Sequence, residues 1–187
     1  ADYWPAGLSM DVTTDSASDG AQALAIEATF SGTEWEETGV FFVPESVADW
    51  SEFEQVAVDI YLPEGADGFI GQIFMKTGEE LTWANTSDTQ LVAGEWTTIT
   101  GNLADLGDAS SIGEYGVKIG TSSTAYDGAV LIDNFRVIDV VEVAAAPVET
   151  VETATAVTSF EENLDGWTLA DYWPAGLSMD VTTDSAS

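Results

Sequence analysis

Apolar and polar residues alternate with a period of two along much of this chain. The alternation is clearest in "QALAIEATF" (Gln22–Phe30), "FEQVAVDIYL" (Phe53–Leu62), "FIGQIFMKT" (Phe69–Thr77), "EWTTITGNL" (Glu95–Leu103) and "AVLIDNFRVIDVV" (Ala129–Val141). Successive side chains of a strand point to opposite faces, so each stretch reads as a β-strand with one face turned to a core. Turn signals separate them: "SDG" at Ser18–Gly20, "PEGADG" at Pro63–Gly68, "AGE" at Ala93–Glu95 and "YDG" at Tyr126–Gly128. No long stretch has the 3.6-residue period of an amphipathic helix. Short strands joined by Gly-bearing turns predict an all-β protein, a β-sandwich or jelly roll.

The texture changes after Val141. "EVAAAPVETVETATAV" (Glu142–Val157) contains Ala, Val, Thr, Glu and one Pro but no aromatic residue. Pro147 and the β-branched residues oppose a helix, and the stretch reads as an extended linker. A new aromatic-bearing segment, "TSFEENLDGWTLADYW", begins at Thr158. It runs into a second copy of the opening eighteen residues: "ADYWPAGLSMDVTTDSAS" is both Ala1–Ser18 and Ala170–Ser187. The expectation is an out-of-phase window of a tandem array with a period of 169 residues (170 minus 1), favoured over a circular permutant whose linker folds back because a permutant has no reason to duplicate Ala1–Ser18. In that reading residues 1–141 are a body lacking its first strand, 142–157 a linker, and 158–187 the first strand and start of the next repeat. Thr158–Leu169 is then expected not to pack against the body of its own chain, leaving it free to complete a neighbour by strand complementation.

Charge narrows the choice of partner. Lys76, Lys118 and Arg136 face 34 Asp and Glu, for a net charge of −31. Such a surface repels nucleic acid, whose binding needs Lys and Arg at phosphates, and it repels anionic membranes. No segment has the roughly 20 apolar residues of a membrane span, so no membrane insertion is expected. His and Cys are both absent, which removes Ser-His and Cys-His nucleophilic systems. Neighbouring carboxylates such as Glu36–Glu37 and Glu79–Glu80 occur throughout a chain this acidic and single out no glycosidase pair. The chain is expected not to be an enzyme.

Four segments resemble the carbohydrate-binding-module type of β-jelly roll appended to bacterial mannanases and cellulases. They are "SFEENLDGW" (Ser159–Trp167), "SDGAQALAIEA" (Ser18–Ala28), "FEQVAVDIYLPEGADG" with "LVAGEWTTIT", and "YDGAVLIDNFRV" (Tyr126–Val137). The resemblance implies a structural Ca²⁺ where the first strand, the early loop and the last strand meet, with Glu161, Asp19 and Asp133 at the matching positions. A solvated Glu161, a turn-forming Asp19 and a strand-edge Asp133 would fit the same letters. The resemblance also implies that Trp50, Trp96 and Trp167 are core aromatics. Tyr3, Trp4, Trp35 and Trp83 remain as platforms on which a pyranose could stack, or as further core and inter-module contacts. Asn85, in "NTS", matches an N-glycosylation acceptor.

Two functions are open on these grounds. One is a structural repeat module of an extracellular filament, surface fibre or adhesin stalk, with neighbouring copies of itself as partners. The other is a carbohydrate-binding module that targets polysaccharide. The identity of the two terminal copies favours the first, and the acidic surface suits a place outside the cell in either case. If Ca²⁺ is structural, calorimetric melting should fall on adding EGTA; an unchanged midpoint rules a stabilising ion out.

Overall fold

The structure, a computed structural model, describes residues 9–141, 151–158, 160 and 166–169. Their strands are β1 (Ser9–Thr13), β2 (Ala23–Phe30), β3 (Glu36–Phe42), β4 (Gln55–Tyr61), β5 (Ile70–Thr77) and β6 (Thr82–Asn85). They continue with β7 (Thr89–Gln90), β8 (Trp96–Asn102), β9 (Ile112–Thr121), β10 (Tyr126–Val141), β11 (Val151–Thr158) and β12 (Thr168–Leu169). One short 3₁₀ turn, Leu103–Asp105, follows β8. The fold is the β-sandwich that the alternation predicts. All five stretches read from the sequence are strands, with ends that differ by a few residues.

Two antiparallel sheets face each other. The first runs β1-β2-β10-β4-β8, with β11 also paired to β10; the second runs β12-β3-β9-β5-β6, with β7 paired to β5. Alternate residues of each sheet meet in the middle: Leu24, Ile26, Val56, Val58, Ile60, Val130 and Ile132 from one, Val40, Ile73, Met75, Val117 and Ile119 from the other. Aromatic rings close one end of this core. Tyr115 of β9 stacks on Phe135 of β10 at 5.1 Å between centroids, and Trp50 lies 4.7 Å from Tyr115. Burial pushes the Tyr115 phenol well above its ordinary pKa.

The C-terminal part departs from the sequence reading. Val151–Thr158 is not an extended linker but β11, antiparallel to the far half of β10, with Arg136 opposite Ala156 and Val141 opposite Val151. β2 covers only Tyr126–Ile132 on that side of β10, so the second half of this long strand offers a free edge. The Val and Thr of β11 are good strand formers, and closing a short connection to a sequence neighbour costs little. Beyond it, Phe160 and Trp167 are buried in the core, and Thr168–Leu169 pairs with β3. Trp167 lies within 5.3–6.4 Å of Phe135, Tyr115 and Phe42, ring to ring. The described part of the segment expected to stay out of its own body therefore packs into it, and the expectation of strand donation to a neighbour is overturned. Residues 1–8 and the second copy of the opening stretch lie outside the described residues.

Trp167→Ala should cost about 3–5 kcal/mol of unfolding free energy in urea titrations, as for other buried large aromatics. A change below about 1 kcal/mol would show the C-terminal segment to be dispensable.

Candidate functional site

The outer faces of the two sheets differ in kind. On the first sheet, Asp59 of β4 and Asp133 of β10 sit directly opposite each other, 6% and 0% exposed. Two like charges in register repel, so the pair needs donors. The loop after β1 supplies some of them. Ser18 N–H and Asp19 N–H donate to Asp133 Oδ2 at 2.8 and 2.9 Å, and Ser18 Oγ donates to both carboxylates. Thr98, Asn134 and Arg136 side chains donate to Asp59, and Asn134 N–H donates to Asp133 Oδ1. Asn134 takes a left-handed φ of 51° where the β10 register shifts, which lets its amide turn back to Asp59. Nearby, Trp96 Nε1 donates to Ser16 Oγ while its ring packs on Tyr61. Trp96 is thus half-buried under the same loop rather than in the core; β8 directs it outward, next to Tyr61 of β4. Trp50 and Trp167 are in the core.

Asp19 and Asp133 do meet here, through the Asp19 backbone N–H. Glu161 lies outside the described residues. Among the described residues no three acids are grouped to hold a metal, and Asp133 meets N–H and O–H donors where a ligand would meet the cation.

Burial raises the Asp133 pKa above its ordinary value, and the hydrogen bonds from Asp19, Ser18 and Asn134 oppose this without cancelling it. A raised folded-state value means the stability contribution is complete below the unfolded pKa and fades as pH rises through the folded one.

Among the described residues no loop is laid over the outer face of the second sheet. The residues pointing outward include Glu37 and Gly39 of β3, Glu114, Gly116, Lys118 and Gly120 of β9, and Gln72, Phe74 and Lys76 of β5. Phe74 is fully buried, yet not by the core: Trp83 of β6 stacks flat on it, 4.3 Å away and 11° from parallel. Beneath, Phe74 leans over Gly116, where a Cβ would meet the ring at 2.6 Å. At the other end Trp35 lies across Gly120, where a Cβ would stand 2.7 Å from the indole. The two indoles remain 41% and 40% exposed. Gly116 and Gly120 are four residues apart, roughly 13 Å along β9.

Between and beside the indoles the polar groups are held in place. Lys118 Nζ bridges to Glu37 Oε2 at 3.1 Å, and Glu37 Oε2 also accepts from Trp35 Nε1 at 3.4 Å. Lys76 Nζ reaches the Glu114 carboxylate at 3.0 Å. Both ammonium groups lie 5.6–5.9 Å from the Trp83 ring centroid, within cation–π range. Gln72 Nε2 donates to Asp88 Oδ1 and Thr86 O, and Trp83 Nε1 donates to Asn85 Oδ1. Of the predicted platforms, then, Trp35 and Trp83 share one face, with Asn85 beside the second. Tyr3 and Trp4 lie outside the described residues. Sequence reasoning missed Lys118 and the glycine floor because β9 was not read as a strand. It missed Gln72 and Lys76, on a strand it did read, because their neighbours on the face come from β9, β6 and the loop after β6.

The sequence of residues 6–134 matches the family model "Mannanase, galactose-binding domain-like", and the chain belongs to that family. No curated protein sequence matches it significantly. Solved structures do. One, from work on promiscuous carbohydrate-binding modules of the β-sandwich superfamily, superposes with a TM-score of 0.52 at 18% identity, over 69% of this chain and 52% of the other. The family 11 carbohydrate-binding module of a Clostridium thermocellum cellulosomal cellulase gives 0.53 at 13% identity, over 74% and 85%. A module specific for non-crystalline cellulose gives 0.51 at 19% identity, over 67% and 79%. At these identities the likeness is one of fold. The expectation of a filament or stalk module is nonetheless overturned: family and neighbours together fit the alternative, a carbohydrate-binding module. Among the described residues no helix is long and apolar enough to cross a membrane.

Asp133→Asn should lower stability by about 1–3 kcal/mol, since an amide nitrogen then faces an N–H donor. Urea titrations between about pH 3 and 7 should find the deficit largest at the acid end, as the sign of the Asp133 shift requires. A deficit that grows towards neutral pH would contradict the raised value.

Proposed function

We propose that the outer face of β3, β9, β5 and β6 binds a neutral polysaccharide chain, and that the protein is a targeting module rather than a catalyst. The observation that carries this is the pairing of two half-exposed indoles, Trp35 and Trp83, on one face across a strip floored by glycine. A flat indole suits the apolar face of a pyranose. The amide, carboxylate and ammonium groups between the rings suit hydroxyls, and their mutual bonds fix their positions before a ligand arrives. The family match and the fold neighbours support the same reading.

Neutrality follows from charge. Lys76 and Lys118 are both neutralised by glutamates, and a net charge of −31 repels acidic glycans. The same ion pairs commit Glu37 and Glu114 to structure, away from acid–base work on a glycosidic bond. A polymer of this kind does not cross a membrane, so the module works outside the cell.

The test is affinity electrophoresis and calorimetry with soluble galactomannan, hydroxyethyl cellulose and mixed-linkage β-glucan. At least one should bind, and Trp83→Ala or Trp35→Ala should weaken it roughly tenfold or more while the variants still unfold in one cooperative transition. Full binding by the double variant would remove this face from the reading, and silence on all three polymers would end it.

A further inference from the structure

Leu81 is the least explained residue near this face. Its φ is +50°, a left-handed conformation that a branched side chain rarely adopts. Among the described residues two other non-glycine positions share such an angle, and each has a visible reason. Asn134 turns its amide to Asp59, and Phe160 is fully buried in the core. Leu81 has neither reason: it is 49% exposed and lies outside the core cluster. It closes the β5–β6 hairpin, where its N–H donates to Gly78 O at 3.1 Å and Thr77 pairs with Thr82. Glycine would fill that position without strain, as it does at Gly78 in the same turn.

The side chain has a definite place. Its Cδ2 rests on Gly113, the extra residue of β9 where the register against β5 shifts between Lys76 and Thr77. Gly113 precedes Glu114, which faces outward beside Lys76. Leu81 itself stands two residues before Trp83, in the turn that leads into β6. An exposed aliphatic group is therefore held against β9, in the turn that leads to an exposed indole, at a backbone cost that burial does not repay.

We propose that Leu81 prolongs the Trp83 platform and contacts the apolar face of a sugar residue beyond the one stacked on the indole. It would make the site respond to chain length. This rests on the polysaccharide reading above.

Calorimetry of the whole chain with mannotriose, mannohexaose, cellotriose and cellohexaose tests it. Against whichever hexasaccharide binds, Leu81→Gly and Leu81→Ala should both lose roughly three- to tenfold in affinity, while the matching trisaccharide is unaffected. Leu81→Gly should melt no lower than the wild type, because it also relieves the left-handed strain. Unchanged hexasaccharide affinity in both variants overturns the proposal, as does equal loss for both lengths. If Trp83→Ala also leaves binding intact, or the wild type binds none of the three polymers, the polysaccharide reading fails and the role of Leu81 falls with it. A wild type that binds a polymer but neither hexasaccharide overturns the Leu81 proposal alone.

Discussion

The stacking of Tyr115 on Phe135 joins the two sheets, and much of the molecule is arranged around it. Tyr115 belongs to the middle strand of one sheet and Phe135 to the middle strand of the other. Trp50 arrives from the β3–β4 connection, and Trp167 from the distant C-terminal segment, to pack on the same two rings. Large rings in edge and offset contact bury much area for few rotatable bonds. They fix the spacing of the sheets at one end, and so hold β9 and its neighbours as a firm support for whatever lies on their outer side.

Among the described residues that outer side carries no covering loop, whereas the other sheet takes one. Asp59 and Asp133 capture Ser18 and Asp19, and Trp96 captures Ser16, so the chain after β1 is laid over the first sheet. The three cations are divided accordingly. Arg136 offsets the buried acid pair, whereas Lys76 and Lys118 flank Trp83 on the open face. In a chain with so few bases, placing two of them beside one indole gives this face a fixed electrostatic pattern amid an otherwise acidic surface.

Sequence alternation revealed the strands that bury one face and expose the other, such as Gln55–Tyr61, and with them the sandwich. It failed for β9, "IGEYGVKIGT", because Gly113, Gly116 and Gly120 interrupt the outward positions and resemble turn residues. Yet those glycines are what let Phe74 and Trp35 lie close to the sheet, so the stretch that hid the strand also hid the site. Trp35 and Trp83 were legible as candidates only by elimination. Their common face depends on the β3–β9–β5–β6 order, which no local pattern contains. The segment from Val151 was misread for a different reason: without aromatics it looked like a spacer, while its partner, the free half of β10, is a property of the folded sheet.

The burial of Phe160 and Trp167 also sets an order of events during synthesis. Phe42, Tyr115 and Phe135 leave the ribosome long before the ring that packs on all three of them. Until then the aromatic end of the core lacks that cover and the far half of β10 lacks its neighbour. Long-range pairings of this sort make β-proteins slow to fold, with sheet edges exposed in the interval. The many unpaired acids of the chain then act on the nascent protein as well as the finished one, since mutual repulsion keeps incomplete copies apart while each waits for its own last strand.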